Sequence, residues 1–227
     1  MTLYERFAAE ESAHAALKLG GLTLEELRVD LPSPFLKRAL DICVATAALI
    51  FLAPVLALIA LAIRMDSEGP VFFRQTRLGL DGRPFDILKF RSMNVLENSD
   101  TIAQAEAGDP RITRVGGWLR RASLDELPQL LNVLAGDMSP VGPRPHAVAH
   151  DRYYSALIAG YDIRQRVKPG ITGWAQVHGL RGATPTLDLM QARVEHDLWY
   201  VKNRRFLLDV EILLRTAGEV LRTRNAV

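Results

Sequence analysis

A single cysteine, Cys43, occurs in 227 residues, so the chain can form no internal disulfide and no thiolate zinc site. There is no G-x-x-x-x-G-K-[ST] and no G-x-G-x-x-G, which leaves P-loop and nicotinamide readings without support. His146 and His150 stand four apart without the Glu of H-E-x-x-H or a Cys partner, so they read as part of a surface helix rather than a zinc site. No nucleic-acid module and no internal repeat is present, and the 16 Gly and 12 Pro are scattered rather than clustered. With 48% apolar and 24% charged residues this is a folded chain, long enough for one domain and an appendage.

What is present is uneven. Residues 1–36 carry three Lys/Arg against six Asp/Glu, whereas residues 111–227 carry seventeen against eleven. The basic second half suits an anionic partner such as a phosphate, a nucleotide or an acidic lipid, and equally a solvated surface. From Ile42 to Ile63 no charged residue occurs, with Lys37, Arg38 and Asp41 before the run and Arg64 and Asp66 after it. Helical residues rise about 1.5 Å each, so this segment is just long enough for a hydrocarbon core of about 30 Å. It starts too deep in the chain and runs too long for a cleaved signal peptide. Pro54 lies near its middle, removing a backbone donor, and cations flank both ends. Those two features favour a re-entrant hairpin broken at Pro54, with a kinked single span and a buried core helix as the alternatives.

Before this anchor, residues 2–18 and 22–31 are expected to be helical. After it, PVFFRQTRLGLDGRPFDILKFRSM reads as a β-hairpin turning at Leu80-Asp81-Gly82, with Phe72, Phe73, Phe85 and Ile87 as candidate buried positions. Near the C-terminus two amphipathic helices are expected. The second has a stripe of Val210, Leu213, Leu214, Ala217, Val220 and Leu221 that suits either the core or an anionic membrane surface. The fold expected is therefore an α-rich α/β domain with a small hairpin and a Pro-broken membrane helix. Its divisions are an accessory segment at 1–36, the membrane helix at 37–64 and a cytosolic domain at 65–227.

The chemistry concentrates around Ser123-Leu124-Asp125-Glu126-Leu127-Pro128. Ser123-x-x-Glu126 matches a helix capping box, but Pro128 would then fall inside the helix, so a start at Asp125 places it in the first turn. Two carboxylates beside a helix N-terminus could also serve a phosphate, one as nucleophile and one as metal ligand. Cations surround them in sequence: Lys89 and Arg91 in KFRSM, then Arg111, Arg114, Arg120 and Arg121, then Arg144 in the proline-stiffened GDMSPVGPRP. A second stiff stretch, KPGITGWAQV, precedes a Gly-rich turn that carries Arg181.

Taken together and in this order, GPVFFRQTRLG, KFRSM, SLDELPQLLNVLAGDMSPVGPRP, KPGITGWAQV and HDLWYVKNRR resemble the bacterial sugar transferases that are monotopic polyprenyl-phosphate phosphoglycosyl transferases. The resemblance runs from about Phe35 to the C-terminus. It implies transfer of a hexose 1-phosphate, glucose or galactose, from a UDP-sugar to undecaprenyl phosphate with release of UMP, initiating exopolysaccharide synthesis at the cytoplasmic face of a bacterial inner membrane. By this resemblance Asp125 is the nucleophile, Glu126 binds Mg2+, and Lys89, Arg111, Arg120 and Arg144 hold phosphates or the uridine diphosphate, with Arg91 and Arg181 as further substrate-binding candidates. The family's membrane segment is a re-entrant helix broken at proline, which would be Pro54 here. A homodimer is compatible with this reading and nucleic acid is not a partner. His178 where Asn is common, Arg204-Arg205 where Trp-Ser is frequent and Ala53 where some relatives have Ser depart from the pattern. A non-catalytic scaffold of polysaccharide assembly and a membrane-anchored metal-dependent phosphohydrolase are the alternative functions.

Overall fold

The computed structural model describes residues 34–94 and 109–222, so the helices expected over 2–18 and 22–31 lie outside the described residues. Helix α1 (Pro34–Asp66) opens on a proline at its first position and then runs through Ala and Leu. The helix continues through Pro54, so the break expected there does not interrupt it. Proline's fixed φ is itself helical, and both flanking halves are held by packing: Ala45, Ala48 and Leu49 against Ile87, Leu130, Val133 and Met138, then Leu56, Ile59, Ala60 and Ile63 against Phe90, Leu119 and Leu124.

Both ends of α1 are tied to the same domain. Near its start, Arg38 donates to the carbonyls of Val133 and Leu134 at 2.6 and 2.8 Å, and Lys37 pairs with Asp209 at 2.7 Å. At its end, Asp66 accepts from the backbone N–H of Val115 at 3.0 Å. Between these points the outer face is bare and apolar, with Ile50 72%, Phe51 84% and Leu58 67% exposed. Only 11% of its most apolar stretch is buried, which removes the buried-core-helix alternative.

The expected hairpin forms from β1 (Phe72–Leu78) and β2 (Pro84–Phe90), paired from Phe72↔Phe90 to Leu78↔Pro84. Its turn is Leu80–Gly82, with Asp81 at φ 54. Side chains alternate along a strand, so Phe72 and Phe73 cannot share a face. Phe73, Gln75, Arg77, Phe85, Ile87 and Lys89 form one face, whereas Phe72 is 45% exposed and stacks on Phe90, contrary to its expected burial.

Helix α2 (Arg114–Ala122) is capped by Thr113, whose side chain accepts from the Gly116 N–H. Gly116 is required here, because a Cβ would lie 2.1 Å from the Ser92 carbonyl oxygen. A 3₁₀ turn (Leu124–Glu126) leads to helix α3 (Gln129–Ala135), which ends at Gly136 with φ 98. From α3, Asn132 accepts from the Leu88 N–H and donates to the Asp86 carbonyl, fixing the helix to β2.

A second sheet pairs β3 (Ser139–Val141) with β4 (Gly170–Thr172) in parallel. The two proline-stiffened motifs of the sequence thus meet: a Cβ on Gly170 would stand 2.1 Å from the Gly142 nitrogen. Between them run α4 (Val148–Leu157) and a 3₁₀ turn (Tyr161–Arg166), and after them α5 (Trp174–Val177), α6 (Leu187–Asn203) and α7 (Phe206–Arg222). On α7 the inward residues are Leu208 and Ile212 with Leu213 beside them, while Leu214 and Ala217 of the expected stripe face outward. The described chain is thus helix-rich with two small sheets.

Candidate active site

The dyad does not begin a helix. Ser123 ends α2 in the left-handed region at φ 55 and makes no side-chain cap bond, so the capping box that the pattern matches is absent, and the helix start expected at Asp125 is not found either. Asp125 and Glu126 occupy the 3₁₀ turn, and α3 starts only after Pro128. The reason is a missing donor: Pro128 has no N–H to give to the Leu124 carbonyl, and a regular helix starts behind it. The two adjacent carboxylates are buried at 8% and 7% exposure.

Their environments differ sharply. Glu126 Oε1 accepts from Lys89 Nζ at 2.9 Å, Arg144 Nη1 donates to Oε2 at 2.9 Å, and Arg144 Nη2 donates to Oε1. Burial works to raise the Glu126 carboxyl, but the charges of Arg144 and Lys89 and their hydrogen bonds outweigh it and hold it well below the usual carboxylate range. No hydrogen bond reaches the Asp125 carboxylate among the described residues. Burial and then the neighbouring Glu126 charge push it up, while Lys89, Arg120 and Arg144 pull against them. The result is one clamped carboxylate beside one uncommitted and poorly solvated carboxylate, which is the better nucleophile of the two.

Of the six candidate cations, Lys89 and Arg144 touch the dyad. Arg120 lies within its electrostatic reach, with Nη1 3.9 Å from Met93 Sδ. Arg111 is bound to Asp109, where its side-chain and backbone hydrogen bonds lower that carboxyl to about 2. Arg91 is placed elsewhere: its guanidinium donates to the carbonyls of Ser67, Glu68 and Pro70, joining the end of α1 to the hairpin. Arg181 sits in the loop before α6, whose Leu180 and Gly182 carbonyls are held by Arg193.

A buried network behind Arg144 was not singled out from the sequence. Arg164 pairs with Asp197 at 2.8 Å, Tyr161 donates to Asp151 at 2.8 Å, and Arg164 donates to His146 Nδ1 at 2.8 Å. His146 is therefore enclosed rather than on a surface helix, and burial together with Arg164, Arg193, Arg144 and Arg77 keeps it neutral. Arg77 was also missed, although alternation in the hairpin places it on the same face as Lys89. It is lowered to about 10 by burial and by Arg144.

Among the described residues no group of three or more His, Cys, Asp or Glu is placed to hold a metal. The donor set nevertheless suits Mg2+, which takes one or two carboxylates and fills its shell with phosphate oxygens and water. An ionised carboxylate has about four acceptor positions. Glu126 receives three donors and keeps one position, and Asp125 keeps all of its own.

The family model of the bacterial sugar transferases matches residues 32–223. The chain is 57% identical over 181 residues to the UDP-glucose:undecaprenyl-phosphate glucose-1-phosphate transferase of Escherichia coli (strain K12), covering 80% of this chain and 39% of that protein. It is 53% identical over 210 residues to the Caulobacter vibrioides protein of the same name, covering 92% and 77% respectively. The UDP-N-acetylgalactosamine-undecaprenyl-phosphate N-acetylgalactosaminephosphotransferase of Aeromonas hydrophila is 40% identical over 214 residues, covering 93% and 50%. The chain thus spans well under half of the Escherichia coli relative and about three quarters of the Caulobacter one. With its motifs, its dyad and this match over all of the described residues, the chain belongs to the bacterial sugar transferase family.

Proposed function

We propose that the chain transfers glucose 1-phosphate from UDP-glucose to undecaprenyl phosphate, releasing UMP. The observation that carries this reading is the contrast within the dyad, where Asp125 has no hydrogen-bond partner among the described residues and Glu126 is clamped by Lys89 and Arg144. In the first step an Asp125 carboxylate oxygen attacks the β-phosphorus of the UDP-sugar. The bond from that phosphorus to the bridging oxygen breaks and UMP departs with the electron pair. In the second step a phosphate oxygen of the lipid attacks the same phosphorus and displaces Asp125, leaving the sugar on a lipid diphosphate. Lys89, Arg144 and Arg120 offset the charge that two carboxylates and a diphosphate bring together. A Mg2+ held by Glu126 and Asp125 would supply Lewis-acid neutralisation of the phosphate oxygens.

The site also belongs at a membrane surface. Because both ends of the continuous helix α1 dock on one domain, its bare apolar face embeds in the near leaflet with both ends on the same side of the membrane, rather than spanning it. The domain then lies on the cytoplasmic face of the inner membrane, where nucleotide sugars and the lipid phosphate are both accessible. Glucose is favoured over galactose by the names of the Escherichia coli and Caulobacter relatives.

The test is UMP release from a panel of UDP-sugars by protein in nanodiscs, with and without undecaprenyl phosphate and Mg2+. Metal-dependent UMP from UDP-glucose with formation of lipid-linked sugar supports the proposal, and Asp125→Asn abolishes it. Free glucose 1-phosphate without lipid product would indicate a phosphohydrolase, and no UMP from any donor would indicate a scaffold.

A further inference from the structure

We infer that Arg164 is a positioning residue that aims Arg144 at the dyad, an inference resting on the transfer reaction proposed above. Arg144 sits between Pro143 and Pro145, neither of which has an N–H, so this stretch can be anchored mainly through its carbonyls. Two such anchors exist. The Pro143 carbonyl accepts from the Gly170 N–H at 2.9 Å, and the Arg144 carbonyl accepts from Arg164 Nη2 at 2.6 Å. The same guanidinium donates through Nη1 to His146 Nδ1 at 2.8 Å, so one side chain grips the loop at two positions, two residues apart. It is itself fixed by Asp197 Oδ2, which accepts from Nε at 3.1 Å and Nη2 at 2.8 Å.

Stability alone is a poor reason for this arrangement. An enclosed ion pair loses much of its Coulomb gain to desolvation, and an apolar pair of equal volume would often hold the fold as well. An apolar pair could not grip a carbonyl. The planar fork of arginine reaches Asp197, the Arg144 carbonyl and His146 together, whereas a lysine ammonium presents its donors from a single atom. Arg164 therefore transmits the position of α6, through Asp197, to the turn whose Arg144 side chain binds Glu126.

The test is steady-state UMP release with UDP-glucose and undecaprenyl phosphate for wild type, Arg164→Lys, Asp197→Asn, Arg144→Lys and the double variant Arg164→Lys/Arg144→Lys. Tyr200→Phe is the control, since Tyr200 is just as enclosed but bonds Val141 and Asp209. Arg164→Lys and Asp197→Asn are expected to lower kcat about 10- to 100-fold with KM for UDP-glucose within about threefold, the pattern of lost transition-state electrostatics. The double variant should fall no more than about threefold below Arg144→Lys, as expected of residues acting through one another. Tyr200→Phe should lower Tm and leave kcat near wild type. Unchanged kcat, a loss in KM alone, or additive losses would overturn the inference. Wild-type protein releasing no UMP would instead sink the proposed reaction. The hold of Arg164 on the Arg144 turn is then read without turnover, from the 15N-labelled arginine side-chain signals. The guanidinium signal that disappears in Arg144→Lys should be slow to exchange in wild type and fast in Asp197→Asn, and equal exchange in both would overturn the inference.

Discussion

Arg144 meets Glu126 through two nitrogens and two oxygens, Nη1 on Oε2 at 2.9 Å and Nη2 on Oε1, with Lys89 Nζ sharing Oε1. This fork gives the dyad its asymmetry, because it neutralises one carboxylate and leaves the other uncommitted.

Arg144→Lys keeps the charge and loses the fork. The expected outcome is a fall in kcat of about 100-fold, the scale of removing one preorganised electrostatic contact. Arg144→Ala in addition leaves Glu126 with Lys89 alone and should cost about 1–3 kcal/mol of stability. Kinetics of UMP release and thermal unfolding check the two statements, and wild-type kcat in Arg144→Lys would contradict the first.

Arg91 should behave differently from Lys89 and Arg144. Its hydrogen bonds are spent on the carbonyls of Ser67, Glu68 and Pro70, so Arg91→Ala is expected to lose about 2–4 kcal/mol of stability. The KM for UDP-glucose in the folded fraction should not move. A rise in KM without a change in Tm would return Arg91 to the substrate.

Two neighbouring glycines of α2 make a matched pair. Gly116→Ala drives a Cβ to 2.1 Å from the Ser92 carbonyl oxygen, whereas Gly117→Ala meets only Ile112 Cγ2 at 3.6 Å. The first should abolish folded protein. The second should raise stability by up to about 1 kcal/mol through helix propensity. Circular dichroism and thermal melts distinguish the two.

Stability should fall below neutral pH in a way traceable to His146. Arg164 and Tyr161 from the 3₁₀ turn, Arg193 from α6, Arg77 from β1, Asp151 from α4 and Arg144 surround it. Burial and these arginines hold its pKa well below the ordinary value near 6.5. Below that value the unfolded chain binds a proton that the folded chain refuses, so stability is full above about pH 6.5 and is lost as pH falls. The carboxyls of Asp151 and Asp197, raised chiefly by burial, act in the opposite sense from the ordinary carboxyl value upward, where their contribution is lost as pH rises. His146→Gln should flatten the change in Tm between pH 7.5 and 5.5, and an unchanged slope would show that another group carries it.

The bare face of α1 should govern membrane attachment. Phe51→Glu combined with Leu58→Glu introduces two charges where neither side chain is packed on the domain, with exposures of 84% and 67%. Protein should move from the membrane to the soluble fraction with its Tm retained, as measured by vesicle sedimentation and melting.

Much of this protein is legible along the chain itself. The apolar run of α1, the hairpin turning at Leu80–Gly82 and the two C-terminal helices follow from local pattern, where hydrophobic period and turn residues act over a few positions. The motifs also single out Asp125 and Glu126, which the fold buries side by side. Tertiary structure decided the rest. A chain of residues cannot show that Arg91 spends its charge on Ser67, Glu68 and Pro70 while Lys89, two positions away, reaches Glu126. Nor can it show that Arg164 holds Arg144, or that Pro54 leaves α1 continuous because both halves pack on one domain. The physical reason is the same in each case. Local pattern sets φ, ψ and which face a side chain takes, but the partner of a buried charge comes from a distant segment, and packing settles which cation finds which carboxylate.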